Sequence, residues 1–339
     1  MVPILLLALS AGGAGAAPAP RVKNTKGWIE SIAMDGPRVA YDAEARGSGC
    51  NKLFVWNVLT GGAARVSARG TCAADSTSTG GGVTKIAVAG ARIAWIVNLG
   101  GNTESNDYLY TASVPRPREK KLAYARRTGD VDGVLKGDWI GGLVGDGNLL
   151  AVNRWSTDAK GAVTKASLRR IGAARMSTLA TGPGTIVAQS ADLGRIAVLR
   201  SDGEVAIYSA GGALLRTIAP SSAREVALRK DYLLVLTKAK TLEIYNANSG
   251  APVRTWPVPA GASHLDVHSG IAVYSVWRTL HALRLTTGKD VVLVKAKRAI
   301  VDAEIEAPGA IYAFNTVKGI KDVGNVAFLP IARVIAAVS

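Results

Sequence analysis

One apolar tripeptide recurs along this chain, and its spacing restricts the fold more than any other feature. It stands as Val39-Ala40-Tyr41, Ile93-Ala94-Trp95, Leu150-Ala151-Val152, Ile196-Ala197-Val198, Leu234-Val235-Leu236, Ala272-Val273-Tyr274 and Tyr312-Ala313-Phe314. The middle residues lie 54, 57, 46, 38, 38 and 40 positions apart. Self-similarity at such a period marks a repeat architecture. The surroundings repeat too. A small turn such as Asp35-Gly36, Ala89-Gly90, Asp146-Gly147 or Ser269-Gly270 precedes each tripeptide, and a short strand ("SIAM", "KIAV", "EVAL", "HLDV") precedes the turn. A third strand follows ("KLFVWNV", "TLEIYNA", "TLHALRL"), then a turn such as Ser249-Gly250 or Thr287-Gly288, then a fourth strand ("LLRTI", "PVRTW").

Four short antiparallel strands per unit cannot bury two apolar faces alone. Seven such units around an axis bury each face against a neighbour and leave only short outer edges. No segment sustains a 3.6-residue apolar period over three turns. The expected fold is therefore all-β, a seven-bladed β-propeller of four-stranded antiparallel blades spanning residues 28–339. Blade seven is expected to draw all four strands from its own end of the chain, the last near Ala332–Ala337. The ring would then close by packing between blades one and seven, with residues 17–27 as a lead-in outside it.

Phe54-Val55-Trp56-Asn57 with Thr60-Gly61 resembles the third strand and turn of a WD40 repeat, and Leu280-His281-Ala282-Leu283 with Thr287-Gly288-Lys289 resembles a quinoprotein repeat. The whole chain after the leader is similar to the WD40, YVTN and quinoprotein-like propellers. No third strand ends in Trp-Asp, and Val291-Val292-Leu293 stands where a quinoprotein docking Trp would fall. The resemblance thus implies an architecture and carries no family's chemistry with it.

The first residues, "VPILLLALSAGGAGAAPAP", are apolar and then small, with no charged side chain before Arg21. They read as a signal peptide over residues 1–16, with Ala14-Gly15-Ala16 as the cleavage site. The run is too short and too rich in Gly and Ala to span a membrane. The expected location is secreted, outside the cell or at its envelope. Cys50 and Cys72 are the two cysteines of the chain, and an oxidising compartment favours a bridge between them.

Propeller sites gather at the axis. In "HLDVH" alternate residues share a face, so His264, Asp266 and His268 are expected to point together. Asp266 falls seven positions before Val273, where blades one and two carry Ala33 and Ala87. Blade seven follows with Asp302, Glu304 and Glu306. One reading makes His264, Asp266 and His268 a metal site, or these with Glu304 the acid and base of a funnel-site lyase or hydrolase. The other makes them a polar channel wall, with no cofactor. Asp130-Val131-Asp132-Gly133 lacks the third acid and closing Glu of a calcium loop. No G-x-S-x-G elbow or phosphate-binding loop occurs.

Lys and Arg number 41 against 25 acids, a net +16. Residues 116–175 hold 13 basic and 6 acidic side chains. Such a field attracts anionic partners, and Lys120, Lys121, Arg126, Arg127, Arg169 and Arg170 are the expected polyanion contacts. An exported chain does not meet nucleic acid, so the expected partner is a protein or an anionic envelope polymer. The sequence reading is of a monomeric, non-catalytic binding module, with the funnel-site enzyme as the alternative.

Overall fold

The computed structural model describes residues 20–339 except 45–49, 68–70, 73–79, 102, 130–133, 183, 185 and 320. The expected signal peptide, residues 1–16, and Asp130-Val131-Asp132-Gly133 lie outside the described residues. Each unit folds as a blade of four antiparallel strands, numbered outward from the axis. β1 (Arg21–Lys26) stands before the first unit. Blade one is β2 (Ile32–Asp35), β3 (Arg38–Glu44), β4 (Cys50–Asn57) and β5 (Ala63–Arg65), with the short β6 (Thr71–Cys72) also paired to β4. Blade two is β7 (Gly80–Ala89), β8 (Arg92–Gly100), β9 (Glu104–Ser113) and β10 (Lys120–Thr128). Blade three is β11 (Lys136–Asp146), β12 (Leu149–Thr157), β13 (Val163–Ile171) and β14 (Met176–Gly182). Blade four is β15 (Ile186–Asp192), β16 (Arg195–Arg200), β17 (Val205–Ser209) and β18 (Leu214–Ile218). Blade five is β19 (Ala223–Arg229), β20 (Tyr232–Thr237), β21 (Thr241–Asn246) and β22 (Pro252–Pro257). Blade six is β23 (Ala262–His268), β24 (Ile271–Val276), β25 (Thr279–Arg284) and β26 (Asp290–Lys295). Blade seven takes β27 (Ile300–Glu306), β28 (Gly309–Lys318) and β29 (Lys321–Pro330) from the end of the chain.

The tripeptides lie in the second strands, and their alternation explains the core. Val39 and Tyr41 belong to the cluster between blades seven and one, whereas Ala40 belongs to the cluster between one and two. Ala40, Ala94, Ala151 and Ala197 are fully buried, so small side chains let neighbouring blades approach closely. Among the described residues each of the seven blade junctions has its own apolar cluster. Gly36 and Gly90 take positive φ in the hairpin turns at the lower face, as such turns require.

Ring closure differs from the expectation. β1 pairs with β29 over six residues, from Arg21↔Phe328 to Lys26↔Val323, and is the outermost strand of blade seven. Residues 21–26 are thus part of the ring and not a lead-in to it. The expected last strand near Ala332–Ala337 is instead the helix α1 (Ile331–Val338). Proline lacks the N–H that a sheet needs, so Pro330 ends β29. Val334 and Val338 share one helix face and are buried over blades six and seven. The outer edge of β29 is left for β1, whose other end pairs with blade one through Lys26↔Glu44.

Arginines staple the blades. Arg38, Arg92 and Arg195 each begin a second strand and donate to a carbonyl in a hairpin turn of the next blade: Gly90, Asn148 and Lys230 respectively. Arg21, Arg216 and Arg254 sit in outermost strands and donate to the next blade's third-to-fourth turn, at Val58 and Leu59, Asn248 and Thr286. A guanidinium reaching a carbonyl needs no acid partner. Part of the +16 charge is therefore spent on architecture.

Candidate functional site

The seven inner strands surround an axial channel of about 470 Å³, lined among others by Lys85, Glu225, Arg229, Asp266, Asp302, Glu304 and Glu306. An innermost strand has one edge without a strand partner, so its N–H groups need other acceptors. Six of the seven inner strands bulge, for example between Val83 and Lys85, Ala223 and Glu225, and Ile300 and Asp302. Bulges re-aim side chains.

At every junction the earlier blade supplies a side-chain acceptor and the later blade's inner strand an N–H. Ile86 donates to Ser31 (3.2 Å), Ile140 to Asp107 (3.1 Å), and Ala188 to Asn153. Leu228 donates to Ser190 (3.1 Å), His264 and Leu265 to Glu225, and Ile305 to Asp266 (2.8 Å). Ile32 and Met34 donate to Asp302 and Glu304, closing the circle from blade seven to blade one. The channel carboxylates thus act first as locks between blades.

The expected set from "HLDVH" reaches the axis only in part. The register Asp266↔Val273 is as read from the spacing, and Asp266 lines the channel. His264 lines the channel too, from the bulge at φ +55, with its Nδ1 2.7 Å from Ser275 Oγ within its own blade. His268 lies at the lower end, its Nδ1 4.0 Å from Glu306. The three side chains do not converge: His264 bonds Ser275, Asp266 accepts the Ile305 N–H, and the buried His268 Nδ1 has no hydrogen-bond partner among the described residues. Among the described residues no group of three His, Cys, Asp or Glu side chains is placed to hold a metal ion.

Burial raises the carboxyl pKa values here. Asp266 is pushed up to about 6 by desolvation, against the pull of the Ile305 and Val267 N–H groups. Burial carries Glu304 well above the usual range, and the charges of Asp302 and Asp266 add to it. Lys85 projects into the channel, and the charge of Asp302 is the main cause holding its ammonium above the ordinary lysine value. Burial pushes Glu306 up to about 7. His268 is pressed down to about 4 by burial, with Arg229 and Lys230 adding to it, so its ring is neutral at physiological pH. Lys85, Glu225 and Arg229 had only a faint sequence signal, a charge at the start or end of an apolar inner strand.

The expected cationic contacts on blades two and three divide. Arg127 is turned inward: it is 7 % exposed, forks onto Asp107 at 2.5 and 3.2 Å, and lies 3.9 Å over the Trp139 ring. It is not available to a polyanion. Lys120 donates to the Ala174 carbonyl across the junction (3.0 Å), Lys121 lies over Tyr108, and Arg126 pairs with Glu104 at 2.8 Å. Arg169 is half-buried and Arg170 exposed. Cys50 and Cys72 stand directly opposite one another in the β4–β6 register.

Blade count, strand order and the closed circle of locks define a seven-bladed β-propeller, WD40-like at the level of architecture. The solved structures agree. A chain of the mitotic checkpoint complex superposes with a TM-score of 0.55 at 14 % identity, covering 96 % of this chain and 96 % of that one. Sqt1 from Saccharomyces cerevisiae gives 0.51 at 10 % identity over 93 % and 99 %. The computationally designed protein Ika8 gives 0.51 at 14 % identity over 91 % and 98 %. No family model matches the chain, and no curated protein matches its sequence. At these identities the likeness concerns the fold alone. Among the described residues no helix is long and apolar enough to cross a membrane.

Proposed function

We propose that this chain is an exported, non-catalytic propeller that binds a protein or an anionic polymer at the cell envelope or outside the cell. The observation that carries this reading is the use of the axial groups. Glu225, Asp266, Asp302 and Glu304 each accept an N–H from the next blade, and Glu306 accepts the fork of Arg229. The axis is committed to holding the ring, while Lys120, Lys121, Arg126 and Arg170 stand exposed on the rim of blades two and three. Neighbouring structures include a chain of a multiprotein complex, which agrees with an interaction role.

The test is retention on an immobilised acidic polymer as salt rises. Exposed-charge attraction is screened over about 8 Å at physiological salt, so retention falls steeply. Charge reversal at Lys120, Lys121, Arg169 and Arg170 weakens it more than reversal at Lys238, Lys240, Lys295 and Lys297. Equal or absent effects would remove the rim from the reading.

A second reading, a funnel-site lyase or hydrolase, is favoured by one observation: Glu304 carries a raised pKa in the same channel as Lys85. Incubation with the acidic polymer separates the two. An unchanged chain length supports binding alone, and shortening that disappears in Glu304→Gln supports the enzyme.

A further inference from the structure

We propose that the cleft between the outer halves of blades two and three is a binding site for a tetrahedral oxyanion, a phosphate or sulfate group, held by Arg154 and Arg169. This rests on the anionic partner proposed above and gives it a place and a chemistry.

The placement follows from the register. Arg154 pairs with Ser167, and Val152 with Arg169, in the β12–β13 ladder. Directly paired residues share a face, so Arg154, Ser167 and Arg169 lie on the side of Val152, which packs with Ile171 against blade two. Both arginines are half-buried. Arg169 Nε donates to Ser167 Oγ (3.2 Å), and an Arg154 terminal nitrogen donates to the Tyr124 carbonyl of blade two (3.2 Å). Neither guanidinium has a carboxylate partner among the described residues. Arg21, Arg38, Arg216 and Arg254 also lack a carboxylate among the described residues but reach carbonyls of a neighbouring blade, whereas three other arginines are acid-paired. Arg195 has Asp192 at 3.2 Å, Arg200 has Glu204 at 3.2 Å, and Arg229 has three carboxylates.

A second like-charged contact lies at the lower end of the same junction. Arg92 crosses to the Ile171 and Asn148 carbonyls with Arg170 close by. Burial, and then the charge of Arg154, depress the Arg169 pKa; burial, and then Arg170, depress that of Arg92. Like charges drawn together in a half-buried cleft are unfavourable until an anion joins them. Guanidinium forks suit phosphate and sulfate, whose oxygens accept several strong charge-assisted bonds at once. The two guanidiniums come from two strands, β12 and β13, while the buried Ser167 hydroxyl is taken up by Arg169 Nε and the Arg154 carbonyl.

The test uses the full mature chain with inorganic phosphate, inorganic sulfate and dextran sulfate, against chloride at equal ionic strength, read by calorimetric titration and melting temperature. Wild type is expected to bind phosphate or sulfate saturably. Arg169→Gln is expected to weaken that binding about tenfold, the worth of one bond to a charged group. Arg169→Lys falls between, and Lys295→Gln/Lys297→Gln, with a larger charge change, leaves it intact. Arg169→Gln melts no lower than wild type without anion, because it loses one short-range bond and one repulsion. Binding of the inorganic ions that Arg169→Gln weakens supports the site with a free anion as its source. A response confined to dextran sulfate, and weakened by Arg169→Gln, supports it with a polymer-borne group. An equal response of wild type and Arg169→Gln to every anion, or no response from wild type, overturns the site. Polymer retention that survives Arg169→Gln and falls with reversal at Lys120 and Lys121 keeps the proposed function and removes the cleft.

Discussion

Arg229 of blade five and Glu306 of blade seven meet in a two-bond fork, 2.7 and 2.8 Å long, that passes over blade six. The same guanidinium lies 3.4 Å from Asp192 of blade four and 3.6 Å from Asp146 of blade three. One cation thus holds acids from three other blades at the lower end of the channel. Asp192 also accepts the Lys230 N–H (2.7 Å), and Asp146 the Leu193 N–H (2.9 Å), so the acids are fixed before Arg229 reaches them.

Among the described residues, replacing Arg229 by Gln leaves Asp146 and Glu306 without a cation in a poorly solvated site and Asp192 with Arg195 alone. Breaking one side of a buried ion pair costs about 3–5 kcal/mol, and that is the loss expected in urea unfolding. Glu306→Gln removes one partner and leaves Arg229 two others, so it should cost less. Arg229→Lys keeps the charge and loses the fork, and should fall between wild type and Arg229→Gln. Equal stability of Arg229→Gln and wild type would show that the fork holds nothing.

The raised carboxyls fix the direction of a pH effect. Asp42 is fully buried, accepts the Glu30 and Ser31 N–H groups at 2.8 and 3.1 Å, and is pushed up to about 7 by burial. Between about pH 4 and 7 the folded chain keeps a proton that the unfolded chain releases, so stability falls as pH rises through that window. Asp266 and Glu306, at about 6 and 7, act in the same direction. His268, lowered to about 4, acts oppositely: below about pH 6.5 the unfolded chain takes a proton the folded one refuses. The melting temperature should therefore be higher near pH 5.5 than at pH 8. Asp42→Asn keeps an acceptor for the two N–H groups and should flatten that slope. A wild-type melting temperature that rises from pH 5.5 to 8 would contradict the argument.

Much of this fold is written in local pattern. Seven tripeptides give seven second strands, and the seven-residue step from Asp266 to Val273 gives the register that pairs them. What resisted reading is non-local. β1 reads "RVKNTK", a polar alternation with nothing to show that its partner lies some 300 residues on, at Val323–Phe328. "ARVIAAV" is apolar enough for a strand, and only Pro330 with the spacing of Val334 and Val338 favours the helix. The strand period placed Asp266 at the axis, but the bulge between Ser263 and Asp266 carried His264 to Ser275. Arg127 looked like its neighbour Arg126. What separates them is the β9–β10 register, which sets Arg127 on the face of Asp107 and Arg126 on the face of Glu104.

Closure through β1 makes any shortening of the chain before Gly27 a stability question. A cut before Ala17 leaves β1 whole, whereas loss of residues up to Lys26 opens the outer edge of β29 and removes the bonds from Arg21 to Val58 and Leu59. A chain beginning at Gly27 should unfold several degrees lower or aggregate through that exposed edge. Arg21→Ala alone should cost about 1.5–3 kcal/mol, the range for hydrogen bonds that involve a charged group. Unchanged melting of the truncated chain would mean that packing between blades one and seven suffices.

The two cysteines carry the last prediction. β4 and β6 place Cys50 and Cys72 as direct antiparallel partners. Paired residues in such a ladder have Cα atoms about 4.5–5.5 Å apart, inside the span of about 4.4–6.8 Å that a disulfide bridges. In an oxidising compartment the bond should form between these two, closing the loop of 21 residues that separates them. A loop near that length stabilises by about 3 kcal/mol on the chain-entropy account. Alkylation of exported protein without reductant, followed by mass measurement, should add no label, and after reduction should add two. Cys50→Ser and Cys72→Ser should each lower stability by a similar amount, and the double variant by no more than either one. Two labels before reduction would show that the thiols remain free, and would remove this support for export.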